Sequence, residues 1–356
     1  MLDRLNLLRH AILDLNLTAF LISSTTHLRY LMGFTGSNGV GLITSDQSFF
    51  VTDWRYREQA KQEVSNAEIL VAFRDLFAAL KDRNALAIGA RLGFESHHLN
   101  FRMFSHLRKT FPHLKLTATE YVIEKIAARK TAAEITAIRR AIAISEQAWR
   151  EVLPLITPGV EESAIAAEIS YRGRKLGADG DAFEPIIASG WRSALPHGIS
   201  SHKTIAAGEM VVIDFGFLVD GYPSDITRTI AVGDPGPQLR QAYEVVREAN
   251  RIARERLKPG CKGKEIDQLI RDFIAAQGLG EAFSHSLGHG LSMELHALPR
   301  LGPTSEDEVP PNSVVTLEPG VYLAGLGGVR IEDDALVTET GCDVLTSLPR
   351  ELICVA

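Results

Sequence analysis

Asp214, Asp225, His289, Glu318 and Glu332 are the residues whose types and placement point to chemistry in this chain. They are separated by 11, 64, 29 and 14 residues. Each acid interrupts an apolar run of strand character: VVIDFG, SDITRTI, TLEPGVY and VRIEDDAL. One acid in such a run is most simply a satisfied core carboxylate or a charge at a strand end. Four acids in two matched pairs, with an imidazole, are different, because like charges in an apolar setting repel unless a cation lies between them. Four carboxylates and one imidazole exceed what one ion with open positions needs, and suit a two-metal site with bridging carboxylates. Oxygen-rich ligation with one imidazole and no thiolate favours Mn2+, with Co2+, Fe2+ or Zn2+ compatible and Mg2+ less suited. Such a centre acidifies a water held between its ions, and that chemistry is hydrolysis.

Hydrolysis through a tetrahedral intermediate needs donors, and His197, His285 and His296 flank the ligand motifs. The two-residue step from Arg330 to Glu332 turns both side chains to one face of a strand, so Arg330 is a candidate to orient a ligand carboxylate or bind substrate, the plain alternative being an ordinary surface arginine. Other patterns carry nothing. Gly36–Gly41 lacks the Gly-Lys-Ser/Thr of a phosphate loop, Gly325–Gly328 lacks a dinucleotide fingerprint, and neither GxSxG nor HExxH occurs.

The elements that must hold these residues form an internal repeat. LITPGV precedes a helix expected over 161–176, and LKPGC precedes one expected over 264–277. Each is followed by a His-Gly pair (His197-Gly198, His289-Gly290), then by an apolar run ending in an acid (Asp214, Glu318), then by a second acid a strand later (Asp225, Glu332). Two such αβ halves about a pseudo-two-fold axis bring all four acids to one centre. The run 211–230 reads as a hairpin carrying Asp214 and Asp225. Thr131-Ala-Ala-Glu134 fits a capping box opening a helix to about Leu153.

Upstream the chain alternates helix and strand: a helix in residues 1–17, strands at 19–23, 40–45 and 48–52, a helix over 54–64, a short strand at 86–89, a helix over 97–109 and a strand at 114–118. The fold class expected is α/β (α+β), with a smaller α/β domain at 1–125 and a catalytic domain at 126–356.

The 356 residues, 45% hydrophobic and 23% charged, are ordinary for globular domains. A formal charge of -6 and the lack of any Lys/Arg run argue against nucleic-acid binding. Charges at Asp3, Arg4, Arg9 and Asp14 break any signal-peptide core, and no apolar run spans a bilayer. Three scattered cysteines fit a reducing cytoplasm.

Taken together, PHG (196–198), DFG (214–216), DITRT (225–229), HSLGHG (285–290), LEPGVY (317–322) and GGVRIEDD (327–334) resemble the M24 metallopeptidases, the group of aminopeptidase P, prolidase, methionine aminopeptidase and creatinase. The resemblance covers 131–356, with every motif in order. FTGSNG (34–39) and TDWRY (52–56) look like the creatinase/prolidase N-terminal domain and favour the proline-directed branch. It implies the pita-bread fold and two divalent metal ions. Asp214 would bind one ion, His289 and Glu318 the other, and Asp225 and Glu332 would bridge. His197 and His296 would contact substrate and intermediate, with His285 nearby and Glu318 doubling as proton shuttle. Arg300 matches an arginine of compact prolidase-like relatives and would bind a dipeptide's terminal carboxylate or be structural. Trp54 and Ala297 depart from the usual pattern without touching a ligand. The leading expectation is a cytoplasmic, homodimeric Xaa-Pro aminopeptidase acting on proline-containing peptides. The alternatives are an Xaa-Pro dipeptidase, a methionine aminopeptidase, or a non-catalytic binding protein on the same scaffold.

Overall fold

The structure, a computed structural model, describes residues 4–355. It divides into two compact units, Met1–Ile126 and Ala127–Ala356. The first is built on a six-stranded sheet in the order Glu68–Ala72, Ser48–Asp53, Val40–Thr44, Ala19–Ile22, Arg91–Glu95, Lys115–Thr119. Ala19–Ile22, Val40–Thr44 and Ser48–Asp53 pair antiparallel and the outer ladders are parallel, the mixture expected of an α/β unit.

Several local expectations shift here. The strand expected at 86–89 is a turn, with Gly89 at φ +78°; the strand is Arg91–Glu95, which becomes one by pairing on both sides. The helix expected over 54–64 begins as a 3-10 turn, Trp54–Tyr56, because Asp53 accepts from the Arg55 N–H; the α-helix is Arg57–Glu63. The helix expected from 97 starts at Phe101, since the Asn100 side chain caps it by accepting from the Met103 N–H at 3.0 Å. Of the N-terminal helix the structure describes Arg4–Asp14, with residues 1–3 outside the described residues.

One buried acid in this unit has a local explanation. Glu95 Oε2 accepts from the N–H groups of Ser23 (2.5 Å) and Ser24 (3.0 Å), and Oε1 faces His27 Nδ1. His27, Glu95 and His98 lie close enough to hold an ion. The donors on Glu95 already account for both oxygens, and they hold its pKa down against the effect of burial. The carboxylate anchors the turn from strand Ala19–Ile22 into helix Thr25–Met32.

The second unit is two similar halves. Helices Ala132–Val152 and Glu162–Lys175 precede a sheet containing Ile186–Ser189, Glu209–Phe215 and Ile226–Val232. Helices Pro237–Arg256 and Gly263–Ala276 precede a sheet containing Gly288–Gly290, Val314–Leu317 and Asp333–Val337. The match extends to single bridges: the residues at the start of the second helix of each half pair antiparallel with the chain beyond, Glu161 with Thr204 and Lys262 with Glu308. The capping box at Thr131 and Glu134 is present in full. Each half buries its own apolar cluster between helices and sheet, one around Ile138, Trp149, Ile213, Phe215 and Ile230, the other around Val246, Ile270, Val315, Leu317 and Ile331. Such side chains contribute about 1.5–3 kcal/mol each, which lets the fold carry charged groups at its centre.

Candidate metal centre

The strand Glu209–Phe215 is an unbroken apolar run up to Asp214, and it pairs antiparallel with Ile226–Val232 so that Asp214 lies opposite Thr227. Asp225, two residues before Thr227, turns to the same face. In the other half Leu317 lies opposite Asp333, so Glu318 and Glu332 emerge side by side where that ladder ends. His289 sits in Gly288–Gly290, where neither flanking position admits a side chain. A Cβ on Gly288 would meet the Thr316 carbonyl oxygen at 2.1 Å, and one on Gly290 the Leu298 carbonyl oxygen at 2.1 Å.

These elements bring all ten residues singled out above to one cavity of about 500 Å3. His289 Nε2 is 3.6 Å from Asp225 Oδ2 and 3.5 Å from Glu318 Oε1. Ligand atoms of Asp225, His289 and Glu332 all lie within 4.8 Å of one another. Asp214 Oδ2 accepts from Arg330 Nη2 at 2.5 Å, while its Oδ1 is buried without a hydrogen-bond partner. Thr227 Oγ1 donates to Glu332 Oε2 (2.6 Å), and Thr316 Oγ1 to Glu318 Oε1 (3.1 Å).

The electrostatics are those of acids gathered without their counter-charge. Burial, then the charges of Glu332 and Asp214, raise Asp225 well above the ordinary carboxylate range. Burial, then Glu318 and Asp214, do the same to Glu332. Glu318 is pushed up to about 8, chiefly by burial, against the pull of Arg330. His289 is pushed down to about 4 by burial and by His296, so its ring is neutral at pH 7, the form that ligates metals. Its Nδ1–H donates to the Gly290 carbonyl at 3.1 Å, which turns an unprotonated Nε2 toward the carboxylates. A neutral imidazole, four crowded carboxylates and an orphaned carboxylate oxygen fit a divalent cation, which would reverse the sign of the local pKa shifts.

Around this core the placements differ in kind. His296 stacks edge-on with His289, ring centres 4.4 Å apart, and its pKa is lowered by burial and by His197. His197 and Arg300 line the same cavity, Arg300 from an exposed position with its backbone N–H on Asp307 Oδ2 (2.9 Å). His285 is fixed between the Ser286 carbonyl (Nδ1, 2.8 Å) and the Tyr322 hydroxyl (Nε2, 2.8 Å), and lies 4.0 Å from Glu318. Arg330 is buried and spends its guanidinium on the protein: Nε on Thr227 Oγ1, Nη1 on the Pro196 carbonyl and Tyr322 Oη, Nη2 on Asp214. Of the two roles expected for Arg330, this geometry is that of orienting a carboxylate. Tyr322, Thr227 and Thr316 were not singled out from the sequence. Thr227 and Thr316 each lie two residues from an acid, on its own side of the strand, and that period was the available signal. Trp54 is two-thirds exposed in the other unit, and Ala297 begins the buried strand Ala297–Leu301.

The second helix of each half holds the loop bearing its histidines. Glu162, fully buried, accepts from the N–H and Oγ of both Ser189 and Ser201 and from Arg192 Nε, bracketing His197. Asp267, also fully buried, accepts from the Leu287 N–H and from Arg271, whose Nη groups hold the carbonyls of Phe283 and His285.

Comparisons with known proteins agree with this architecture. The model of Metallopeptidase family M24 matches residues 136–339, and that of the Creatinase/Prolidase N-terminal domain matches 4–128. An Xaa-Pro dipeptidase of Pyrococcus furiosus is 39% identical over 326 residues, 90% of this chain and 91% of its own. Among solved structures, an Xaa-Pro dipeptidase from Bacillus anthracis superposes with a TM-score of 0.96 at 39% identity, covering 99% of both chains. An X-Pro aminopeptidase from Thermotoga maritima gives 0.91 at 38% identity, covering 99% of this chain and 100% of that one. Two matched halves that close four carboxylates and an imidazole around one cavity, in a chain so matched from end to end, make this protein a hydrolase of metallopeptidase family M24.

Proposed function

We propose that the protein hydrolyses the Xaa-Pro bond of free dipeptides. The observation that carries this is that Arg300 opens onto the same cavity of about 500 Å3 as the carboxylates. That volume suits a small peptide. A cationic Arg300 among its lining residues suits a terminal carboxylate, which a dipeptide presents next to its scissile bond. The relatives named Xaa-Pro dipeptidase support the same reading, so the dipeptidase alternative is preferred to the aminopeptidase expectation.

An Xaa-Pro bond is a tertiary amide with no N–H and a ring-fixed φ, so a peptidase that reads extended backbone loses a donor there. Asp214 would hold one divalent ion, His289 and Glu318 a second, and Asp225 and Glu332 would be shared. Two ions, Mn2+ by the donor set, would supply Lewis-acid polarisation of the scissile carbonyl and acidification of the attacking water. Glu318 takes the proton of that water and delivers it to the proline nitrogen, which leaves as a secondary amine. His197 and His296 donate to the oxygen on which negative charge develops. Arg330 keeps Asp214 aimed inward, and Arg300 receives the substrate carboxylate. Scattered cysteines fit a reducing cytoplasm, and the reading includes a homodimer.

The test is hydrolysis of Ala-Pro and Ala-Pro-Ala with added Mn2+, beside a metal determination. Cleavage of the dipeptide alone is expected. Preferential cleavage of the tripeptide would instead favour the aminopeptidase reading, which the Thermotoga maritima structure supports. Cleavage of neither, with metal bound, would exclude proline-directed activity. A folded protein binding no metal would be a binding module.

A further inference from the structure

The long first helix of each half places one fully buried polar side chain at the same position. Ser145 lies thirteen residues beyond the start of helix Ala132–Val152, and Asn250 thirteen beyond the start of helix Pro237–Arg256. Each reaches toward the acid pair of its own half. Ser145 Oγ bonds Ser224 Oγ (2.8 Å), and Ser224 directly precedes Asp225. Asn250 does more. Its Nδ2 donates to the Leu317 carbonyl (3.1 Å) and to the Ile331 carbonyl (3.4 Å). These carbonyls belong to the residues immediately before Glu318 and Glu332. Asn250 Oδ1 accepts from Arg254 Nε at 2.8 Å, one turn further along the helix. A donor on one side and two acceptors on the other leave the amide a single orientation.

We propose that Asn250 is a positioning residue of the metal centre: through one amide it sets the spacing of the backbone at Glu318 and Glu332. The sheet alone does not set it. Val314–Leu317 and Asp333–Val337 stop pairing at Leu317 and Asp333, and the same two segments pair again only from Gly320 and Arg330, with the Ile331 N–H on the Pro319 carbonyl (3.4 Å) between, so both glutamates lie in a gap in the ladder. Asn250 bridges the two segments at that point. Arg228 secures Glu332 from another direction, its Nη1 donating to the Glu332 carbonyl. With both carbonyls held, the carboxylates of Glu318 and Glu332 have little freedom except rotation about their own side-chain bonds. Two ions need ligands placed to a few tenths of an ångström. An asparagine side chain buried in a helix is costly unless satisfied, and here its amide bonds Arg254 and the two glutamate-bearing segments.

The inference rests on Glu318 and Glu332 being metal ligands. The experiment is Mn2+ titration by calorimetry on the parent chain and on Asn250→Leu, Asn250→Gln and Arg254→Met, with unfolding followed on the same samples. The parent chain is the control: if it binds no Mn2+, the metal reading itself falls. Given binding, Asn250→Leu is expected to lose roughly tenfold or more in affinity for at least one ion, the scale of supporting contacts around metal ligands. Asn250→Gln, which keeps an amide, is expected to recover part of that loss. Arg254→Met, which leaves Asn250 in place but removes the donor that orients it, is expected to weaken Mn2+ binding by a few-fold, and it decides the matter if Asn250→Leu does not fold. Unchanged Mn2+ affinity in folded Asn250→Leu, or equal loss in the Leu and Gln variants, would reduce Asn250 to ordinary packing and overturn the proposal.

Discussion

Arg330 and Asp214, 116 residues apart in sequence, meet through a 2.5 Å hydrogen bond at the wall of the candidate metal cavity, both largely buried. Arg330 also donates to Tyr322 Oη, which in turn faces His285 Nε2. A candidate metal ligand and a cavity histidine are thus aimed by one guanidinium.

Arg330→Met leaves Asp214 as a buried acid without its cation. Loss of one partner of such a pair costs about 3–5 kcal/mol. The expected result is a protein much less stable in chelator, with part of the loss restored by Mn2+. Denaturant unfolding with and without Mn2+ checks it; equal destabilisation in both conditions would show that the metal does not share Asp214 with Arg330.

Removing metal makes stability fall as pH rises above neutrality. Asp225, Glu318 and Glu332 have folded pKa values raised above their unfolded values, Glu318 to about 8. Between those limits the folded state binds more protons than the unfolded state. Their contribution is therefore complete below the unfolded carboxylate range and lost as pH climbs through the folded value. His285 and His289, both lowered to about 4, act oppositely: their penalty falls below the unfolded histidine range and is gone above it. The clean window is pH 7–9, where each proton lost costs up to about 1.4 kcal/mol per pH unit. Urea midpoints in chelator should drop across that window and stay nearly level with Mn2+.

Asp225→Asn tests sharing of a carboxylate. Asp225 faces His289 and lies in the same ligand group as Glu332. If it serves both ions, activity should fall by more than the roughly 10–100-fold that supporting residues cost. Metal content should fall below two per chain. A variant retaining full Mn2+-dependent turnover would remove Asp225 from the centre.

Arg300→Ala separates substrate anchoring from structure. Loss of a charge-assisted hydrogen bond of about 1.5–3 kcal/mol should lower kcat/KM for Ala-Pro roughly tenfold or more. Ala-Pro-amide, which lacks the carboxylate, should be cleaved equally by parent and variant. An equal drop on both substrates would make Arg300 structural.

Glu162→Ala removes the acceptor for five donors around His197. The buried donors left unpaired should cost about 1–3 kcal/mol. Backbone amide exchange should rise at residues 189 and 201. Exchange unchanged there would mean that the loop is held by other contacts.

The metal-centre residues were legible because each contradicts its local pattern. An acid in VVIDFG or TLEPGVY breaks a hydrophobic run, and such a break is tolerable only where a cation or hydrogen-bond donors compensate the buried charge. The order of the motifs, matched between halves, exposed the repeat. The strand Arg91–Glu95 was not legible in the same way. RLGFE carries charges at both ends and a central glycine, and its pairing on both sides, not its composition, makes it a strand.

The sequence by itself determined which side chains are candidate ligands and which runs carry them, since residue type and period are local properties. Only the tertiary structure decided which group partners which. Arg330 on Asp214 and Asn250 on the carbonyls of Leu317 and Ile331, 67 and 81 residues away, are pairings between strangers in sequence. Asn250, in a helix rich in Arg and Glu, reads as one more polar surface residue. It is buried because that helix turns it toward the ends of two strands where the ladder has stopped. Hydrogen bonds of that kind depend on where the chain returns in space, which no local pattern encodes.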